Sequence, residues 1–261
     1  MNGQKHPLAE VFGYPVSDMS GVAARFRKNR LCPFNNNIPN CTKDKAQSPL
    51  GVCSIHHLGD HVMTCPVRFR QNWIIADDAA QFFFGNDANW TALTEVRLKD
   101  AEGGSAGNID MVLCAYNESG QIEDFGALEI QAVYISGNVR KPFDAYMTDP
   151  KANCRMDWSQ QPNYPRPDYL SSSRKRLVSY LTRKGSIIHN KRVKQVVVLQ
   201  SSFLKTLPVF PTLHDSLSDF VFLIYDLEFC QHDKSLQLKL QDKVFTQYTD
   251  VHDLLVCNAE G

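Results

Sequence analysis

Three polar side chains stand where apolar ones belong. Asp110 heads the run Gly-Asn-Ile-Asp-Met-Val-Leu-Cys-Ala-Tyr (107–116), and Glu129 and Gln131 lie inside Phe-Gly-Ala-Leu-Glu-Ile-Gln-Ala-Val-Tyr-Ile (125–135). A carboxylate in such a run is costly to bury unless it is paired or ligates a metal. On a strand, residues two apart leave the same face, so Glu129 and Gln131 share one. The linker Asn117-Glu118-Ser119-Gly120 has turn chemistry and makes the two runs a β-hairpin. Asp110, Glu129 and Gln131 then form one cluster, built by neighbouring strands around a divalent cation.

The elements that must position this cluster follow from periodicity. Residues 67–85 have helical apolar spacing and are predicted to stop at Gly85. Residues 90–99 alternate as a strand and place Glu95 just before the hairpin, either as an outer metal ligand or as an exposed strand glutamate. The glycine-rich stretch 103–107 is a flexible turn. Prolines 142, 150, 162, 165 and 167 mark residues 142–167 as a long loop, the kind of segment that carries function. Residues 171–185 read as a helix ended by Gly185. Residues 193–200 read as a buried strand, paired in parallel after the crossover helix. Strands follow at 221–229 and 236–240, and the tail over 245–256 is helical or partly strand.

At 261 residues, with 43% hydrophobic and 10% aromatic, the chain can bury a substantial core and is not disordered. The formal net charge is zero, so a polyanionic partner must be met by local asymmetry. Residues 166–194 supply it: nine Lys/Arg against one acid, Asp168, which suits a phosphate backbone. The alternative for that stretch is a solvated helix face. The polar residues 1–10 show no secretory signal, and no run approaches the ~18 apolar residues of a membrane span. A cytoplasmic location is the expectation.

Eight cysteines in such a chain are not a disulfide framework. Cys32, Cys41, Cys53 and Cys65 cluster within an Asn-, Pro- and Gly-rich segment that has little core of its own, where a tetrathiolate metal would supply the missing stability. His56, His57 and His61 leave a mixed Cys/His set open, and reduced core cysteines are the plain alternative. The expected division is a four-cysteine module over 1–66 and a larger domain over 67–261.

The order helix, strand, hairpin, basic helix, buried strand resembles the αβββαβ core of the PD-(D/E)xK nucleases, an α/β fold with a mixed sheet. Within that superfamily, Asp110, the pair Glu129-x-Gln131 and Cys32, Cys41, Cys53 and Cys65 are similar to the pattern of the NotI-like type II restriction endonucleases. Gln131 stands where the superfamily usually has lysine, and Asn-Ile stands before Asp110 where proline is common. The resemblance implies Mg2+-dependent hydrolysis of DNA phosphodiesters, a homodimer on a short GC-rich palindrome, a restriction-modification context, and iron, with zinc as the alternative, on the four cysteines.

The implied reaction is in-line attack of water on phosphorus, with negative charge gathering on the phosphate oxygens. Hard divalent cations meet that charge and prefer oxygen donors. Asp110 and Glu129 would be the ligands, with the Ile130 carbonyl a third. Gln131 does not ionise, so it can orient water but not serve as a base. Base readout needs forked donors and acceptors. The expected DNA-facing residues are Lys99 and Glu102, then Arg155, Gln160, Gln161 and Arg166, and Arg174, Lys175 and Arg176. In the cysteine module Arg25, Arg27, Lys28, Arg30 or Arg68 would face the duplex. A non-catalytic DNA-binding protein with a structural metal competes with this picture. A glycosidase built on paired carboxylates leaves the cysteines and the basic segment unexplained.

Overall fold

The computed structural model describes residues 6–35, 38–45 and 47–256; residues 1–5 and Cys257 of the sequence reading lie outside them. The N-terminal elements are β1 (Leu8–Val11), β2 (Tyr14–Pro15), α1 (Gly21–Asn29), β3 (Asp44–Lys45), β4 (Ser48–Pro49), β5 (Val52–His57) and β6 (Asp60–Met63). A 3-10 stretch, Pro66–Trp73, leads into α2 (Ile74–Phe84), β7 (Trp90–Lys99), β8 (Ser105–Tyr116) and β9 (Ile122–Ile130). Then come β10 (Tyr134–Ser136), α3 (Arg140–Thr148), α4 (Pro150–Asn153) and β11 (Arg166–Asp168). A continuous helical run holds α5 (Arg174–Tyr180) and α6 (Ser186–Asn190), with π-helical turns at Tyr169–Ser173 and Leu181–Gly185. The chain continues through β12 (Gln195–Leu199), α7 (Ser201–Leu204), β13 (Phe220–Cys230), β14 (Ser235–Thr246) and α8 (Tyr248–Leu255).

These elements fall into two compact units. The first takes the described residues of Met1–Asn72, Ala132–Tyr169 and Asp226–Lys239; the second takes those of Trp73–Gln131, Leu170–Tyr225 and Leu240–Gly261. The N-terminal segment, expected as a module over 1–66, thus lies in a unit that also draws on two later stretches.

The first unit has a core of its own, contrary to the expectation of loops held by a metal alone. A four-stranded sheet of order β2-β1-β5-β6 buries Leu8, Val11, Val52, Ile55, Val62 and Met63. At its centre lies a fully buried ion pair, Arg68 Nε to Glu10 Oε2 at 2.9 Å. Ser54 Oγ donates to the same carboxylate, and Arg68 also donates to Gln71 Oε1 and the Leu236 carbonyl. The Phe34 ring lies 4.2 Å from the Arg68 guanidinium. Charges this deep persist only when every polar atom finds a partner, and Gln71 serves that need by turning inward. Its backbone (ψ 118°) and that of Asn72 (φ 51°) break the single helix expected over 67–85. The expected stop at Gly85 holds.

The proline-rich segment is not all loop. Pro142 sits in the first turn of α3, and Pro150 opens α4 behind an Asp149 cap that accepts from the Ala152 N–H at 3.0 Å. First-turn N–H groups lack intrahelical partners, so proline costs nothing there. Phe143 and Tyr146 bury the inner face of α3.

The second unit is built on a six-stranded sheet, β14-β13-β12-β9-β8-β7. β7, β8 and β9 are antiparallel, while β9, β12 and β13 run parallel, as a crossover through the α5–α6 run requires. Asn117 closes the β8–β9 turn by accepting from the N–H groups of Ser119 and Gln121. Helix α2 covers one face of the sheet, where its Phe83 ring occupies the space a Cβ at Gly126 would need, 2.4 Å away. The other face receives Ile188 of α6 against Ala127 and Ile109. The run does not stop at Gly185, whose backbone is right-handed helical (φ −59°). Glycine eases the packing there: an added Cβ would stand 3.0 Å from the Tyr248 ring, which would have to shift by a few tenths of an ångström.

Candidate active site

The hairpin register sets the site. Met111 of β8 pairs with Leu128 of β9, so Asp110 and Glu129 are level one step beyond, on the face opposite α2. Gln131 follows the last residue of β9, and its backbone still donates to the Val198 carbonyl at 2.8 Å. On the outer side, β7 pairs Thr94 with Met111 and Val96 with Ile109, which sets Glu95 level with Asp110. Glu95 is exposed and has a left-handed backbone (φ 55°) within a strand whose burial alternates throughout. The two strongest candidates, Asp110 and Glu129, are therefore brought together, with Gln131 beside them.

Asp110 Oδ2 accepts the Ile130 backbone N–H at 2.8 Å, which ties the carboxylate to the strand carrying Glu129. Glu129 is almost wholly buried. Burial raises its carboxyl to about 7, the Asp110 charge adds to the rise, and Lys184 pulls the other way. Among the described residues, its Oε2 and both amide atoms of the buried Gln131 have no hydrogen-bond partner.

The sequence reading missed Lys184. It was counted with the basic face of residues 166–194, but it lies at the end of the π-turn and turns inward. Its Nζ donates to Glu129 Oε1 at 2.5 Å and to the Asn108 carbonyl at 2.7 Å. The stem passes Gly107, whose φ of 107° favours glycine; a Cβ there would stand 3.7 Å from the lysine's Cδ, an ordinary contact. Lys194 is inward as well, donating to the Phe82 carbonyl at 3.1 Å. No periodicity signals this, because a π-turn shifts the helical phase by one residue.

The other candidates are scattered over both units. Lys99 and Glu102 are exposed at the end of β7 and in the turn after it; Lys175 and Arg176 are exposed on α5, and Arg174 is half-buried. Arg155, Gln160, Gln161 and Arg166 are exposed in the first unit, Arg166 with its Nε on Ser136 Oγ at 3.3 Å. Arg25, Lys28 and Arg30 are exposed. Arg68 and Arg27 are buried and cannot meet a duplex: Arg68 is spent on Glu10, and Arg27 donates to the carbonyls of Pro15 and Asp18.

Seven described cysteines are free thiols. Cys32, Cys41, Cys53 and Cys65 lie close enough to feel one another's charge. Burial lifts Cys32 to about 11, helped by Cys65 and Cys41; it also lifts Cys41, with Cys65 beside it, and raises Cys53 well above a free thiol, with Cys65 and Cys32 adding. Backbone N–H groups of Phe34 and Asn35 face the Cys32 sulfur, and that of Lys43 faces Cys41. Among the described residues no group of three or more His, Cys, Asp or Glu side chains is arranged to hold a metal ion as it stands. His56 stacks with His61, ring centroids 5.0 Å apart.

The mixed sheet, flanked by helices, thus carries two carboxylates level on adjacent strands. The sequence matches the family described as restriction endonuclease NotI over residues 10–238. The chain belongs to that family and is a type II site-specific restriction endonuclease, an enzyme acting on double-stranded DNA. No curated protein matches it. No described helix is long and apolar enough to cross a membrane.

Proposed function

We propose that Asp110, Glu129 and Gln131 are the hydrolytic site of a PD-(D/E)xK core and that its cation is Mg2+. The succession α2, β7, β8, β9, α5–α6, β12 supports the core assignment. One observation carries the site: Glu129 Oε2 and both amide atoms of Gln131 are buried beside Asp110 without partners. Buried polar atoms are nearly always satisfied, so three such atoms side by side fit a group that binds there. The donors are hard oxygens, the kind Mg2+ prefers. Asp110 and Glu129 would hold it with the Ile130 carbonyl, and Glu95 would stand in an outer position. Bound there, Mg2+ would offset the charge gathering on the phosphate oxygens.

The chain's own groups do the rest. Gln131 Oε1 accepts a hydrogen from the attacking water and aims its lone pair at phosphorus. The water oxygen forms a bond to phosphorus while the bond to the leaving sugar oxygen breaks. The water's proton passes to a phosphate oxygen of the substrate, and the leaving oxygen takes one from solvent. Asp110, fixed by the Ile130 N–H, keeps its geometry throughout.

Family membership supports a homodimer on a short GC-rich palindrome, with one site for each strand. Lys99, Glu102, Arg155, Gln160, Arg166, Arg174, Lys175 and Arg176 are the proposed DNA-facing residues. The mutual proximity of Cys32, Cys41, Cys53 and Cys65, with N–H groups facing two of the sulfurs, fits a tetrathiolate iron or zinc site serving stability and recognition.

The test is digestion of a large sequenced DNA in Mg2+ and in EDTA, beside Asp110→Ala. Discrete Mg2+-dependent fragments that the variant does not produce are expected, and their ends give the target sequence. Cleavage by Asp110→Ala at the parental rate would refute the site. Elemental analysis of parent and Cys53→Ser tests the thiolate site: one iron or zinc per chain, lost in the variant, is expected.

A further inference from the structure

Lys184 is a lysine placed with unusual effort. Its side chain is only 14% exposed, in a residue type that folding rarely buries without a partner. It lies in a π-helical turn, a rare distortion that clusters at functional sites. That turn is pinned at both ends from outside the helical run, by Gln195 and Tyr248. Tyr180 donates to Gln195 Oε1 at 2.9 Å, Gln195 Nε2 donates to the Gly185 carbonyl at 3.1 Å, and Tyr248 donates to the Leu181 carbonyl at 2.6 Å. The ammonium arrives on one oxygen of Glu129 and leaves the other, Oε2, without a partner.

Charge explains the arrangement. Asp110 and Glu129 stand together, and a phosphodiester brings a further negative charge into the same space. Gln131 is neutral at every pH and cannot offset any of it. A fixed cation that holds one carboxylate oxygen both lowers that repulsion and fixes where the second oxygen points.

We infer that Lys184 is a positioning residue for DNA cleavage: its ammonium holds Glu129 by Oε1, orients Oε2 and supplies the fixed positive charge that Gln131 cannot. This inference rests on the site proposed above and extends it to a residue from a separate helix.

The experiment compares Lys184→Met, Lys184→Arg and Lys184→Ala in the full chain. The readouts are single-turnover cleavage in Mg2+ and DNA affinity by gel shift in Ca2+. Removing one preorganised charge-stabilising donor commonly costs about 100-fold or more in rate. Lys184→Met is expected to lose about that much while its DNA affinity stays within about 3-fold, and Lys184→Arg to keep most of the rate. Ethylammonium is expected to restore Lys184→Ala saturably, with equal sodium chloride doing nothing. A merely structural lysine gives the reverse pattern, with Met tolerated better than Arg and no amine rescue; that outcome overturns the inference. So does joint loss of DNA affinity and rate, which marks a phosphate contact. Should Lys184→Met fail to fold, Arg retention and amine rescue decide alone. Asp110→Ala and Glu129→Gln run in parallel. If both are inert and Lys184→Met cleaves normally, only the lysine's role falls; if both cleave, the site itself falls.

Discussion

Glu129 connects the stability of the metal-free protein to pH in a way that can be isolated. Burial and the neighbouring Asp110 raise its carboxyl from 4.5 to about 7. Between those values the folded protein retains a proton that the unfolded chain has released. Stability from this group is therefore complete below pH 4.5, falls as pH rises, and is gone above about 7. The gap corresponds to about 3 kcal/mol, at 1.36 kcal/mol for each pH unit between the two values. Glu129→Gln mimics the protonated form and should escape the loss. In EDTA, urea denaturation at pH 4, below the unfolded-state value, should show parent and variant nearly equally stable. At pH 8 the variant should be the more stable by about 3 kcal/mol, while cleaving no DNA in Mg2+. Subtracting the two proteins removes every other titrating group. A variant that tracks the parent at both pH values, within about 0.5 kcal/mol, would show that Glu129 does not lie in the buried, acid-flanked setting described.

Three further outcomes are expected. Arg68→Met should cost about 3–5 kcal/mol in urea denaturation, because it leaves Glu10 charged and buried, and adding Glu10→Leu should regain most of the loss. Gly126→Val should cost at least about 1–3 kcal/mol in the same assay, since its Cβ would lie 2.4 Å from the Phe83 ring. Gln131→Ala should lose cleavage while binding DNA as the parent does in a gel shift; unchanged turnover would remove Gln131 from the mechanism.

The juxtaposition of Asp110 and Glu129 was legible because its signal is local. Asp110, Glu129 and Gln131 betray themselves as polar residues inside apolar runs, and the Asn117–Gly120 turn fixes how the runs pair. The parallel strand at Gln195–Leu199 was likewise legible, from the apolar run Val196–Leu199 after a helix. Lys184 was hidden, because its partner lies 55 residues earlier and a π-turn breaks the phase that helical patterns depend on. The helices α3 and α4 were hidden by prolines, which mark helix starts and loops alike. Arg68 and Arg27 misled for the opposite reason. A buried arginine has the same sequence signature as an exposed one, and only the packed Glu10, or the Pro15 and Asp18 carbonyls, reveal where it points.

The interleaving of the two units bears on how the protein is made. The first unit needs Asp226–Lys239, and the second needs residues from Leu240 onward. On the ribosome, then, neither unit can close until synthesis has passed residue 239. The lysine–glutamate pairing also waits for the 184th residue, long after both carboxylates have emerged. A nascent or prematurely terminated chain therefore carries the acidic pair without the scaffold that aligns it. For a restriction endonuclease, that order of assembly leaves the two carboxylates unaligned until the chain is nearly complete.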